Sequence, residues 1–344
     1  MIQQISRFRS ELMGIATLWV VLYHYRSYAP DFLNYLSATG YAGVDIFFFL
    51  SGFGLTIGWL KGLMKPSSPL QRTTSFYQRR LLRTFPTLFL LSLVWARHNW
   101  LPWGRSVIAA TGIGWYVPQI PYWDWFMPSM FAFYLLFPVW MWAGQTSMLR
   151  PTNRRVLINC LLCIALSLVL TAIIILTGKA GMNLLAFTRI PIFFIGSWFG
   201  YSYYHKQELS HNFYLSAAII AIIGLCLEVP FVLAGNVQVL WGYGLFWLPF
   251  ILITPGLLFL LTWCFAHVPD WACLPFRFLG GISFEFYLMH CLYFEFLERR
   301  WPDLIPQHPY LSFLLLLVVV GTLSWLFLRC INFVLTRLKL TSPR

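Results

Sequence analysis

Four stretches of this 344-residue chain set ionisable side chains inside otherwise apolar runs: Arg9 opens a segment that ends in LWVVLYH at His24, Asp45 sits in GVDIFFFLSG, Arg79, Arg80 and Arg83 lie in FYQRRLLRTFP, and Glu285 and His290 lie in FLGGISFEFYLMH. An ionisable group in a membrane segment costs several kcal/mol by roughly any scale, so such groups mark a functional site by default. A histidine with a carboxylate partner is the pair a general base needs, the carboxylate fixing the tautomer and stabilising the protonated ring. Paired guanidinium groups suit phosphate oxygens. The residue types therefore point to proton transfer beside an anion-binding site, with transport along a polar path as the rival use of the same groups.

Helical geometry orders these groups. At about 100° per residue, His24 and Met13 lie about 20° apart around the first helix and His24 and Arg9 about 60°, one broad face. At about 1.5 Å per residue Arg9 and His24 are roughly 22 Å apart along the axis, so Arg9 belongs near one membrane surface and His24 near the other. If the second helix begins near Tyr41, Asp45 lies one turn in, close to the depth of His24, and the two are within geometric reach of each other. The bland alternative is that Asp45 orders the loop at 28–40 and His24 bonds a backbone carbonyl. Arg80 and Arg83, three apart, share a face at the end of the basic loop 61–83, where contact with anionic lipid heads competes with a phosphate-binding role.

The elements that must position these groups are membrane helices. Hydrophobic residues make up 59% and charged residues 10% of the chain, and mean hydropathy is +0.69, whereas a soluble domain carries about a quarter charged residues. Apolar runs bounded by charge or Pro/Gly clusters fall near 10–27, 41–60, 84–97, 126–143, 156–176, 186–203, 213–234, 239–265, 277–297 and 311–335. The expectation is an all-α, polytopic membrane bundle of about ten helices forming one domain over 1–344, with the third span short unless it runs back through its basic flank, and 106–118 a re-entrant or interfacial piece. No small-residue cleavage pattern closes the first run, so it is read as a span and not a leader.

Of the 24 Lys and Arg residues, sixteen fall in alternate segments beginning with the N-terminal one, seven in the others, and Arg329 lies in the last span. The bias places both termini in the cytoplasm and accounts for most of the net charge of +13. A nucleic-acid role would need a soluble basic face, which is missing. The 17 Trp, 17 Tyr and 32 Phe suit interfacial belts, and WYVPQIPYWDWF is either such a belt or a sugar-stacking platform. The seven cysteines include a lone CxxC, Cys160 and Cys163, in an apolar run; they read as small fillers, with neither a disulfide framework nor metal-ligand spacing.

Taken in order, the segment ending VVLYH, then GYAGVDIFFFLSGFGL, FYQRRLLRTFP, WFMPSMFAFYLLFP and LGGISFEFYLMH resemble the acyltransferase family 3 membrane proteins, which modify bacterial surface glycans. The resemblance implies an acyl-CoA donor taken from the cytoplasm, acetyl-CoA above all, as co-substrate, with transfer to a hydroxyl of a cell-surface or lipid-linked carbohydrate, and residence in the bacterial cytoplasmic membrane among its lipids. It implies His24 as the essential histidine with Asp45 beside it, Arg80 and Arg83 as the paired basic residues, and Ser51, Tyr134, Ser283, Glu285, Tyr287 and His290 as further site residues; no resident cofactor or metal is implied. The family commonly carries an arginine eleven residues before the histidine. Here that position is Met13, and Arg9, one turn earlier on a similar face, is the nearest replacement. A transporter or flippase for a glycan or lipid-linked intermediate is the alternative from another class.

Overall fold

The computed structural model describes residues 2–28, 33–64, 66–117, 120, 123–143, 153–178 and 186–340; parts of the 28–40 loop and of WYVPQIPYWDWF, and the C-terminal Arg344, lie outside these. Among the described residues the regular structure is helical, without a strand. The helices are α1 (Ile2–Arg7), α2 (Arg9–His24), α3 (Asn34–Ala38), α4 (Gly43–Leu63), α5 (Pro69–His98), α6 (Trp103–Ala110), α7 (Phe126–Ala143), α8 (Asn153–Leu176), α9 (Ile190–Tyr204), α10 (His211–Leu233), α11 (Val237–Gly242), α12 (Leu248–His267), α13 (Asp270–Gly281), α14 (Ser283–Arg300), α15 (Leu304–Gln307), α16 (Pro309–Leu315) and α17 (Gly321–Arg337). Among the described residues, five helical stretches are long and apolar enough to cross a bilayer, namely Gly40–Leu63, Arg154–Leu176, His211–Leu233, Leu248–His267 and Pro309–Arg337. The last is continuous because a π-helical turn, Leu316–Val320, joins α16 to α17.

α4 is the centre. Its apolar window is 78% buried within the protein, against 11% for α8, whose Leu and Ile side chains point outward. That contrast is what a bundle in lipid produces, since apolar side chains need no burial there and helices pair instead through close backbone approach. Small residues permit the approach. A Cβ on Gly196 of α9 would stand 2.1 Å from the carbonyl oxygen of Phe49, and one on Gly52 of α4 would stand 2.3 Å from that of Phe193. α2 and α13 meet the same way, with Gly280 against the Ser10 carbonyl and Gly14 against that of Phe276.

Two expected boundaries are corrected. The basic stretch 61–83 is not a loop up to Arg83: α5 starts at Pro69, where Ser68 and Gln71 form a reciprocal capping box ahead of a proline in the first turn. Capping decides where a helix starts, whereas hydropathy decides only which part is buried, so charges that end an apolar run do not end the helix. The segment 277–297 is not one helix. α13 ends at Gly281, Ile282 adopts non-helical angles (φ −114°, ψ 12°), and α14 begins at Ser283. Within 106–118, the structure holds the end of α6 and a 3-10 turn at Ile113–Tyr116.

Candidate functional site

α2, α4, α5, α7 and α14 enclose a cleft with an empty volume of about 820 Å³, counted to its open mouth. Arg9 and Met13 line it from α2, Ser51 and Gly54 from α4, Arg80 and Arg83 from α5, Met130 and Tyr134 from α7, and Ser283 and Tyr287 from α14. Seven of the residues singled out in the sequence thus share one cavity, contributed by five helices that are distant in the chain: Arg9, Ser51, Arg80, Arg83, Tyr134, Ser283 and Tyr287.

The guanidinium groups gather at one part of this wall. Arg9 reaches across to α4, where its Nη2 donates to the Leu50 carbonyl at 3.4 Å. Gly54 makes the room, since a Cβ there would lie 2.8 Å from that same nitrogen. Arg80 hydrogen-bonds the Tyr134 hydroxyl, and both Arg80 and Arg83 are within electrostatic reach of Arg9. Glu285, buried at 4% exposure, stands near enough to Arg83 to offset part of its charge. Three cations against one carboxylate leave a positive excess around an open cavity, which suits a polyanionic ligand. Arg9 and Met13 both line the cleft, as their one-turn spacing on α2 predicts.

Farther along α14, Tyr287 connects the cleft to a second group. Its hydroxyl donates to Asp124 Oδ1 at 3.2 Å. Asp124 is 2% exposed and also accepts from the backbone N–H groups of Phe126 (2.9 Å) and Met127 (3.2 Å), so it caps α7 while holding Tyr287. The Tyr287 ring lies 5.6 Å from that of His290, and His290 packs edge-on against His24 with centroids 5.0 Å apart. His290 is fully buried, with its Nε2 3.5 Å from Cys291 Sγ. His24, the last residue of α2, keeps an exposed face.

Asp45 is elsewhere. No hydrogen bond or ion pair joins it to His24 among the described residues; its Oδ1 lies 3.2 Å from Arg189 Nε, with both side chains at most 1% exposed. The reason is register. Gly40 lies over Trp19 and Tyr23 of α2, Gly43 lies over Ala16 and Val20, and Arg9 reaches Leu50 and Gly54. In this antiparallel pairing Asp45 stands level with residues near 15, about 13 Å from His24 along the helix. The expected depth rests on a helix that begins at the membrane boundary, but the residues just ahead of α4, from Gly40 to Ala42, are themselves a buried 3-10 turn.

Sequence reasoning missed four charged residues here. In the sequence Arg189 reads only as one of the seven basic residues outside the sixteen-residue set. Its guanidinium lies over Phe246 (5.3 Å) and Trp125 (5.7 Å) as well as beside Asp45. Glu228 accepts from the Tyr41 hydroxyl at 3.0 Å in the same buried region. Glu11, 3% exposed, accepts from Arg277 Nε at 2.8 Å and ties α2 to α13. Asp124 carries a readable signal, since an Asp just before an apolar helix is a cap candidate, but it lies inside the aromatic stretch that reads as a belt.

No curated protein and no solved structure matches the chain. A family model described as an acyltransferase domain matches residues 12–329, nearly the whole length. The chain is therefore a multi-pass membrane protein belonging to acyltransferase family 3.

Proposed function

We propose that the protein moves an acyl group, acetyl above all, from acyl-CoA on the cytoplasmic side to a hydroxyl of a cell-surface or lipid-linked carbohydrate, in the bacterial cytoplasmic membrane. The observation that carries this reading is the cleft that runs from Arg9, Arg80 and Arg83 to Tyr287, one helical turn short of the His290–His24 pair. The donor's phosphates meet the guanidinium groups. Its pantetheine arm follows the apolar wall of Met13, Phe47, Met127 and Met130, so the thioester arrives near Tyr287. His24 takes the proton of the acceptor hydroxyl as its oxygen attacks the thioester carbonyl; the tetrahedral intermediate collapses, and CoA leaves as the thiol once the proton is returned. His290, fully buried and edge-on to His24, fixes the His24 ring from the protein side. Asp45 belongs in this reading to the scaffold, through Arg189.

The same reading takes ten crossings and cytoplasmic termini. A cysteine placed at Ser75 in a cysteine-free background then resists an impermeant thiol reagent in intact cells, and labelling there reverses the orientation. Purified protein incubated with acetyl-CoA should release CoA thiol, faster when a carbohydrate acceptor is present. Failure to release thiol with any short acyl-CoA, alongside movement of a glycan across vesicles, would replace the acyl-transfer reading by transport.

A further inference from the structure

The linear order of the cysteines holds no metal motif, yet the fold brings three metal-ligand side chains together. Ligand atoms of His24, His290 and Cys291 all lie within 4.8 Å of one another. We propose that these three side chains form a binding site for a soft divalent transition-metal ion of the zinc class, and that filling it takes His24 out of proton transfer; the second clause rests on the function proposed above.

The dimensions fit. Tetrahedral zinc with a sulfur at about 2.3 Å and an imidazole nitrogen at about 2.0–2.1 Å holds those two atoms about 3.6 Å apart. Cys291 Sγ and the nearest His290 nitrogen are already 3.5 Å apart. His290 is fully buried, so its ring is held beside Cys291 by the surrounding packing. His24 is the exposed member, so an ion enters from its side and the fourth position faces outward. Charge also favours a cation, because Asp124 and Glu295 lie within electrostatic reach of Cys291, against Arg26 near His24. Binding exchanges the thiol proton for the metal: the S–H bond breaks, a sulfur–metal bond forms, and one proton passes to water.

Cobalt(II) titration of the purified full-length protein tests this, because cobalt in a tetrahedral site with a thiolate gives visible ligand-field bands and a near-ultraviolet charge-transfer band independent of turnover. The expected result is both bands at micromolar cobalt, loss of the charge-transfer band in Cys291→Ser, and its retention in the double variant Cys160→Ser/Cys163→Ser. Absence of the bands in the wild type, or their persistence in Cys291→Ser, overturns the site. Should Cys291→Ser not fold, alkylation of wild-type protein followed by peptide mass spectrometry replaces it; cobalt must protect Cys291 at least tenfold, and equal alkylation with and without metal overturns the site. Zinc inhibition of acetyl-CoA turnover, scaled to the metal-free rate, reads the second clause. Bands with unchanged turnover leave the metal site standing and remove His24 from the reaction.

Discussion

Two groups of charged side chains flank α2 and α4, and they are built differently. Near Leu50, Arg9, Arg80 and Arg83 line an open cavity with one carboxylate, Glu285, in reach. Near Tyr41, Asp45 is matched one-to-one with Arg189, Glu228 accepts from Tyr41, and aromatic rings close over the pair. Both satisfy the expectation that intramembrane charge has a role, but in the second group each charged side chain has a protein partner, whereas the first turns an excess of positive charge toward a cavity. An ionisable residue in a membrane helix thus identifies function only when its partner is missing and a cavity stands in the partner's place.

The comparison breaks first at His24. His24→Ala is expected to lower acyl transfer by about two to four orders of magnitude while the melting temperature holds, the loss typical of a general base. A folded His24→Ala protein with near-normal transfer would refute the mechanism.

Next come the closed pair's substitutions, which should act on stability. Asp45→Asn leaves Arg189 buried without its counter-charge, and breaking one side of such a pair costs about 3–5 kcal/mol. Adding Arg189→Met should recover much of that loss, and transfer per folded molecule should stay within a few-fold of wild type. A full-strength fold with catalysis as poor as His24→Ala would return Asp45 to the reacting centre.

The open group should behave in the opposite way. Arg9→Ala or Arg80→Ala is expected to raise donor KM by roughly ten- to a hundredfold, the value of one charged hydrogen bond, with little change in kcat or melting temperature. Met13→Arg added to Arg9→Ala should restore affinity, because both positions line the cleft. An unaltered donor KM in Arg9→Ala would assign Arg9 to lipid contact.

The smallest effect sharpens the contrast. Gly54→Ala would put a methyl 2.8 Å from a guanidinium nitrogen, which can move, so donor KM should rise only a few-fold without loss of stability. Gly196→Ala would put one 2.1 Å from the Phe49 carbonyl, fixed in a helix, and should lower the melting temperature by several degrees. Equal stability losses for the two would mean that Arg9 is as rigidly held as the α4–α9 seam.

The amino-acid sequence by itself determined the class. Charge-poor apolar runs admit only membrane helices, and the spacing of Arg9, Met13 and His24 on one helix is a property of the backbone alone. It also singled out Arg80, Arg83, Ser283 and Tyr287, because polar groups stand out where neighbours are apolar, while Ser51 and Tyr134 came from the family resemblance. Partnership was beyond it. Whether Asp45 meets His24 or Arg189 depends on the register of α2 against α4, and that register is set by which glycines let which carbonyls approach. The same sliding of helix against helix brings His290 and Cys291 to His24, from positions more than 260 residues along the chain. Local spacing fixes which side chains share a face, while only tertiary packing decides which face they meet.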